Sequence, residues 1–466
     1  MDPFVLEIPW RAPADAFGAF AESPFALLLD SGMGHAAGQM AYIAADPIRV
    51  LEVWPDDSAD PLSAARALLA PYRWDRPPQS ARGGLPPFAG GLAGLASYEL
   101  GARLDRLPRA PQRDAAAWPD LALGLYDCIA AFDLAQQSAR IISWGWGADG
   151  SGDVRVAQRR AEAMAVALAA PSPSRHADAW PRPAPYSTPT AYAAAAARVI
   201  DYIRAGDCFQ ANLSQRFDGD LPDNTTPYEL YRRFSAASPA PFSAFWRGRG
   251  LALASNSPER LVRLSVGPDG LDAEASPIKG TRPRGVTRAE DNAFAAALLA
   301  SAKDRAENLM IVDLIRNDLS RVCAPGSVRA PRLFELASFV NVHHLVSTIT
   351  GRLRDGLDAF DLMQAIFPGG SITGAPKIRA AEIIAELEGE ARGPYCGSIL
   401  WFGVDGAMDA SILIRTIACA QRGAVWRTRM RAGAGIVLDS APQEEAQECL
   451  SKASAALSAY SARKSS

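Results

Sequence analysis

Lys279 stands in the stretch Ser276-Pro277-Ile278-Lys279-Gly280-Thr281-Arg282-Pro283-Arg284-Gly285, between a Ser-Pro entry and a Gly-Thr exit. A lysine beside Gly and Pro is ordinarily a solvated loop residue, but this one is accompanied by carboxylates at spacings that packing alone does not demand. Asp304 and Glu307, three apart in the helical stretch Lys303 to Asp318, fall on one helix face, and Glu445 and Glu448 repeat the device in the last helix. Two such pairs, brought together, form an oxygen-rich pocket suited to Mg²⁺, a hard octahedral ion that keeps waters and often binds an anionic substrate group. The loop Phe367-Pro368-Gly369-Gly370-Ser371-Ile372-Thr373-Gly374-Ala375-Pro376-Lys377 precedes a helical run from Ile378 to Leu387 and offers amides and hydroxyls where a carboxylate is favoured. Arg415, in the apolar strand-like run Ile412 to Ile417, is a charge where burial is expected, and a bidentate carboxylate is its natural partner. The run Gly433-Ala434-Gly435 lets backbone amides approach a ligand.

These residues must be positioned by a chain of 466 residues, 48% apolar and 21% charged, with a net charge of −3. That is the composition of a soluble globular protein, and its charge provides no global attraction to nucleic acid or an anionic membrane. Neither partner is expected. Six cysteines without a CxxC pair and only four histidines argue against a disulfide framework or a zinc site, which fits a reducing cytoplasm. The first nine residues lack a basic start and a long apolar run, and nothing later has eighteen uninterrupted apolar residues, so neither export nor a membrane span is expected.

Up to residue 168 the pattern is mostly short strands, among them Phe25 to Ser31, Met40 to Ala45 and Cys128 to Asp133. The closely spaced glycines of Phe88 to Glu99 predict backbones in close contact at a sheet junction. An Ala-rich helix over 155–169 runs into the prolines of Pro171-Ser172-Pro173-Ser174 and Pro181-Arg182-Pro183-Ala184-Pro185, which favour extended chain. The pattern thus divides the chain into residues 1–168, a linker at 169–189 and a second unit at 190–460. Beyond the linker, a helical period to Ala205 ends at Gly206-Asp207 and a strand follows over Cys208 to Phe217. The alternation Leu271 to Ala275 reads as a strand that sets Lys279 at a strand-to-loop transition, and the final helix is read from Gln443 to about Arg463.

The stretch from about 190 to 457 resembles the chorismate-binding catalytic domain shared by anthranilate synthase component I, aminodeoxychorismate synthase component I, isochorismate synthase and salicylate synthase. The resemblance implies an α/β fold of the α+β type, with large mixed or antiparallel sheets packed as a β-sandwich with flanking helices. It also implies Mg²⁺ ligands at Glu307 and Glu448, with Asp304 and Glu445 as helpers through water. Chorismate contacts are implied at Gln210, Thr281, Ser371, Tyr395 (in Gly393-Pro394-Tyr395-Cys396-Gly397), Arg415, Gly433, Gly435 and Lys452. His344 matches the family's active-site histidine, and Glu259, in Ser255-Asn256-Ser257-Pro258-Glu259-Arg260, matches its acid.

Within that family, members that add water at ring carbon 2 carry a lysine base where this chain has Gln210, and a neutral amide cannot take a proton from water. Amination remains. Anthranilate synthases resemble Pro-Ile-Ala-Gly-Thr at the opening stretch, whereas the aminodeoxychorismate branch resembles the Pro277-Ile278-Lys279-Gly280-Thr281 found here. That resemblance implies a covalent lysine that adds at carbon 2 before ammonia attacks carbon 4, in p-aminobenzoate and folate biosynthesis. An anthranilate synthase component with an atypical lysine and an inactive chorismate-binding scaffold are the alternatives. The strand Leu28-Leu29-Asp30-Ser31 stands where feedback-inhibited anthranilate synthases resemble Leu-Leu-Glu-Ser. With no glutaminase motif in the sequence, ammonia is expected from a separate glutamine amidotransferase subunit, and the final lyase step from another protein.

Overall fold

Alternation along the strands sorts the apolar residues into layers. In the strand Gly91–Ala96, Leu92 and Ala96 join one apolar cluster while Ala93 and Leu95 join another, as a period of two requires. In this computed structural model, which describes residues 1–32, 39–74, 84–111, 117–171, 178–339 and 342–461, the strands form one twelve-stranded and one ten-stranded sheet. The cluster between them takes Leu27, Tyr42 and Leu253 from the first sheet and Leu95, Ile399 and Trp401 from the second. The outer face of the first sheet packs on the helices Val154–Leu168, Pro189–Arg204, Pro227–Ala237, Lys377–Glu388 and Pro442–Leu457. That of the second packs on Pro61–Leu69, Ala302–Ser320 and Ala359–Ile366. The result is an antiparallel β-sandwich with flanking helices, the fold class that the family resemblance implies.

Strands from the two sides of the proline-rich stretch share both sheets. Leu27–Asp30 pairs with Phe242–Arg247, and Gly91–Ala96 with Ser398–Gly403. The stretch itself contributes the short strand Ala184–Pro185, paired with Gln210–Asp220, while its Ser172-Pro173-Ser174 lies outside the described residues. The glycine-rich segment reads as the sequence predicts: a side-chain carbon on Gly94, whose φ is +155°, would sit 2.1 Å from the carbonyl oxygen of Ala122 in the neighbouring strand.

Three local readings change. Lys279 does not end a strand, because the chain stays extended through Ile278–Pro283. Its pairing with Val342–Arg352 slips between Ile278 and Thr281, and Gly280, at φ +84°, breaks the pleat there, so Lys279 lies in a bulge. Arg415 is not in a core strand but in the connection between Met408–Ser411 and Thr416–Arg422, where its own φ of 50° cannot continue a pleat. The last helix ends at Leu457, followed by a single 3₁₀ turn to Tyr460.

Asp30 of the Leu28-Leu29-Asp30-Ser31 strand lines a cavity of about 660 Å³ with Tyr42, Phe242 and Trp401, and none of the residues expected on chorismate lines it. Among the described residues no helix is long and apolar enough to cross a membrane.

The Gly94 contact yields a prediction. Gly94→Ala forces a left-handed backbone and a backbone clash together, and should lower the unfolding free energy by more than about 2 kcal/mol. A urea midpoint equal to that of the unaltered chain would refute the close approach.

Candidate functional site

Lys279 projects from its bulge toward the turn Gly370–Ile372, where its Nζ lies 3.5 Å from the carbonyl oxygen of Ser371. The side chain of Ser371 and the backbone N–H of Ile278 face the carboxyl of Glu259, which is buried, and favour its charged form. Burial raises the pKa of Glu259, and the nearby Lys279 ammonium only partly opposes this. Burial also lowers that of Lys279, helped by the like charge of Lys452, against the pull of Glu307, Glu259 and Glu448. Each group therefore shifts toward its neutral form although an opposite charge stands beside it.

The four carboxylates come from two helices, Asp304 and Glu307 from Ala302–Ser320, Glu445 and Glu448 from Pro442–Leu457. Glu307 feels burial first, then Lys279, Lys303, Asp304 and Glu445, and the balance raises its pKa. Among the described residues no three His, Cys, Asp or Glu side chains converge closely enough to hold a metal ion. Each carboxylate has a partner of its own: Arg282 at 2.8 Å from Asp304, Lys303 at 4.0 Å from Glu307, the Ser440 hydroxyl at 2.6 Å from Glu445 and Lys452 at 2.6 Å from Glu448. Burial would raise Glu448, but Lys452 overcomes it and holds the group low.

Lys452 also donates to the carbonyl of Gly433 (3.2 Å), in the strand Val425–Ile436. Beside that strand, on Gln210–Asp220, Gln210 is fully buried with neither its Oε1 nor its Nε2 hydrogen-bonded. Its amide lies over Gly435, where a side-chain carbon would come within 3.1 Å of it. His344 shares a hydrogen bond with Thr281 (Nδ1 to Oγ1, 2.9 Å) and feels the charge of Arg415. Burial, then Arg415, lowers its pKa to about 4. Arg415 is half-buried and makes no ion pair among the described residues, leaving a guanidinium free for an anion. Tyr395 is buried, with the Arg392 guanidinium 5.5 Å from its ring centre.

The chorismate binding enzyme family matches residues 25–458. The chain belongs to the chorismate-binding enzymes. Aminodeoxychorismate synthase component 1 of Salmonella typhimurium is 40% identical to this chorismate-binding enzyme over 97% of both chains. Anthranilate synthase component 1 of Thermus thermophilus is 38% identical over 80% of this chain and 78% of its own. Among solved structures, anthranilate synthase component I from Streptococcus pneumoniae superposes with a TM-score of 0.78 at 29% identity, covering 91% of this chain and 93% of that one.

Sequence reasoning about this chorismate-binding enzyme overlooked the cations beside its acids, Lys303 and Arg282, and the ion cluster behind the Ser371 turn, built from Glu388, Arg392 and Arg431. The signal was present: Glu388 and Arg392 stand four apart around a Gly, next to the Tyr395 motif.

The environment of His344 predicts its titration. In a histidine-ring NMR titration of the folded chain it should change near pH 4 instead of 6.5. Because the unfolded chain takes up this proton first, His344 should subtract stability as pH falls from about 6.5 toward 4. A midpoint near 6.5 would contradict the enclosed, Arg415-facing ring.

Proposed function

We propose that this chain is the chorismate-aminating component of an aminodeoxychorismate synthase, replacing the ring 4-hydroxyl by an amino group. The observation that carries this reading is the placement of Lys279 and Glu259 against the same Ser371 turn, each shifted by burial toward its neutral form. A neutral amine is a nucleophile and a protonated carboxyl is an acid, so both shifts run in the direction that these roles require.

In the first step the Lys279 amine forms a bond to ring carbon 2, the ring double bonds move, and the carbon 4–oxygen bond breaks as Glu259 gives its proton to the departing hydroxyl, releasing water. In the second step ammonia forms a bond to carbon 4, the double bonds return, and the carbon 2–lysine bond breaks. The lysine leaves as the neutral amine with its own two hydrogens, and the ammonium formed on carbon 4 gives one proton to the Glu259 carboxylate, which restores the acid. Arg415 suits one substrate carboxylate, and the unpaired amide of Gln210 can both donate to and accept from the ring substituents. Gln210 holds no base for water, which keeps hydration at carbon 2 from competing.

The donor chemistry around Glu307 and Glu448 fits Mg²⁺, since burial and neighbouring carboxylates raise Glu307 even with two lysines nearby. Mg²⁺ commonly takes one or two protein carboxylates and completes its shell with substrate oxygens and water, so a three-carboxylate cluster is not required. Bound there, with Asp304 and Glu445 assisting through water, it would neutralise a substrate carboxylate. Ammonia would come from a glutamine amidotransferase partner, and the product would pass to a lyase on the way to p-aminobenzoate. A cytoplasmic setting accords with six unpaired, buried cysteines.

Product analysis tests the reading. With chorismate, Mg²⁺ and ammonium salt the purified chain should make 4-amino-4-deoxychorismate; anthranilate would place amination at carbon 2 and refute it. Lys279→Ala should lower turnover by roughly two to four powers of ten with KM much less affected, and the wild-type chain without ammonia should carry a chorismate-derived mass on the Lys279 peptide. Near wild-type turnover by the alanine variant, with no adduct, would reduce Lys279 to a bystander. Glu448→Gln should raise the Mg²⁺ concentration needed for half-maximal rate about tenfold or more; an unchanged requirement would move the ion elsewhere.

A further inference from the structure

Next to the Ser371 turn, a buried guanidinium connects three segments that carry residues of the proposed site. Arg392 Nη1 donates to the carbonyl of Ile372 (3.1 Å), and Nη2 to the carbonyl of Asn212 (2.6 Å) on the Gln210 strand. Nε and Nη2 also meet Glu388, at 3.0 and 2.7 Å. Both side chains of this ion pair are 1% exposed. The plane of charge lies 4.9 Å from the ring centre of Tyr98 and 5.5 Å from that of Tyr395. The backbone is fixed as firmly, because Glu99 accepts the N–H groups of Arg392 (2.7 Å) and Gly393 (3.0 Å). Glu388 in turn accepts the N–H and hydroxyl of Ser214, each at 2.8 Å, on the same strand as Gln210.

From this juxtaposition we infer that Arg392 is a positioning residue for amination: its fork fixes the Ser371 turn, the Gln210 strand and the Tyr395 segment in one register opposite Lys279. The inference rests on the proposed function. It also follows from what the cluster does not need to do. A buried ion pair stabilises a fold little better than well-packed hydrocarbon of the same volume, whereas hydrocarbon cannot hold the carbonyls of Ile372 and Asn212. Ile372 also receives the side-chain amide of Asn212 at 2.9 Å, so its carbonyl is held from two sides. The adjacent Ser371 supplies the carbonyl facing Lys279 and the hydroxyl facing Glu259. A shift of about 1 Å in that turn would move the nucleophile's partner and the acid's partner together, a displacement that can cost two powers of ten in rate.

The test is Arg392→Lys, which keeps a positive charge beside Glu388 but lacks the planar fork needed for two carbonyls at once. The variant should stay folded, bind chorismate within about threefold of the wild-type affinity, and lose about thirtyfold or more in kcat. Combined with Ser371→Ala, the losses should be less than multiplicative, since both act through the same turn. If Arg392→Lys does not fold, the paired replacement Arg392→Met with Glu388→Met serves instead, removing both charges; it should fold and be slow. Overturning results are a kcat within twofold of wild type in either folded variant, a loss confined to KM, or strictly multiplicative losses with Ser371→Ala. Wild-type chain that binds chorismate without aminating it at carbon 4 would instead refute the proposed function, so the two failures are distinguishable.

Discussion

The site depends on a half-buried amine and a buried carboxyl set against the same turn. In water a lysine and a glutamate brought together would both be charged, and neither could act as nucleophile or acid. Enclosure works against this, because removing a charge from water costs more than the neighbouring opposite charge returns. Burial is the largest influence on Lys279 and on Glu259, in each case toward neutrality. The surrounding carboxylates, lysines and Arg415 are charges that the same enclosure must accommodate, and most of them have individual partners.

Such a site requires rigid walls, and two antiparallel sheets supply them. Lys279 and His344 come from the edge of one sheet, Gln210, Gly433 and Gly435 from paired strands of the other. The acids come from helices packed on opposite outer faces of the sandwich. The residues that face the substrate are thus recruited from several layers, and clusters such as Glu388, Arg392 and Arg431 fix the layers relative to one another by hydrogen bonds.

Much of this was legible in the sequence because it is local. Helical spacing places Asp304 with Glu307 and Glu445 with Glu448, and the glycines of Gly91–Ala96 announce a close approach of strands. What was not legible depends on long-range pairing. The prolines and glycines that flank Lys279 predict the end of a strand, but pairing with Val342–Arg352 extends the chain through a bulge that no local rule specifies. Arg415 sits in an apolar run that reads as a strand, yet a left-handed backbone at that residue breaks the run and frees its side chain from the core. Of the acids' partners, Lys303 and Lys452 stand at helical spacing from Glu307 and Glu448, whereas Arg282 reaches Asp304 across strand and helix, which no spacing announces.

The sharing of both sheets between the two ends of the chain has a consequence for synthesis. Residues 27 and 246 meet in one sheet, and residues 91 and 403 in the other. When the first third of the polypeptide has left the ribosome, one edge of Leu27–Asp30 and one of Gly91–Ala96 still lack their partners; the first waits for Phe242–Arg247 in the middle of the chain and the second for Ser398–Gly403, when most of it has emerged. Pairings of such long range make assembly slow and leave unpaired edges open to association in the interval. The nascent chain is therefore a natural client for chaperones, although the finished protein buries those edges completely.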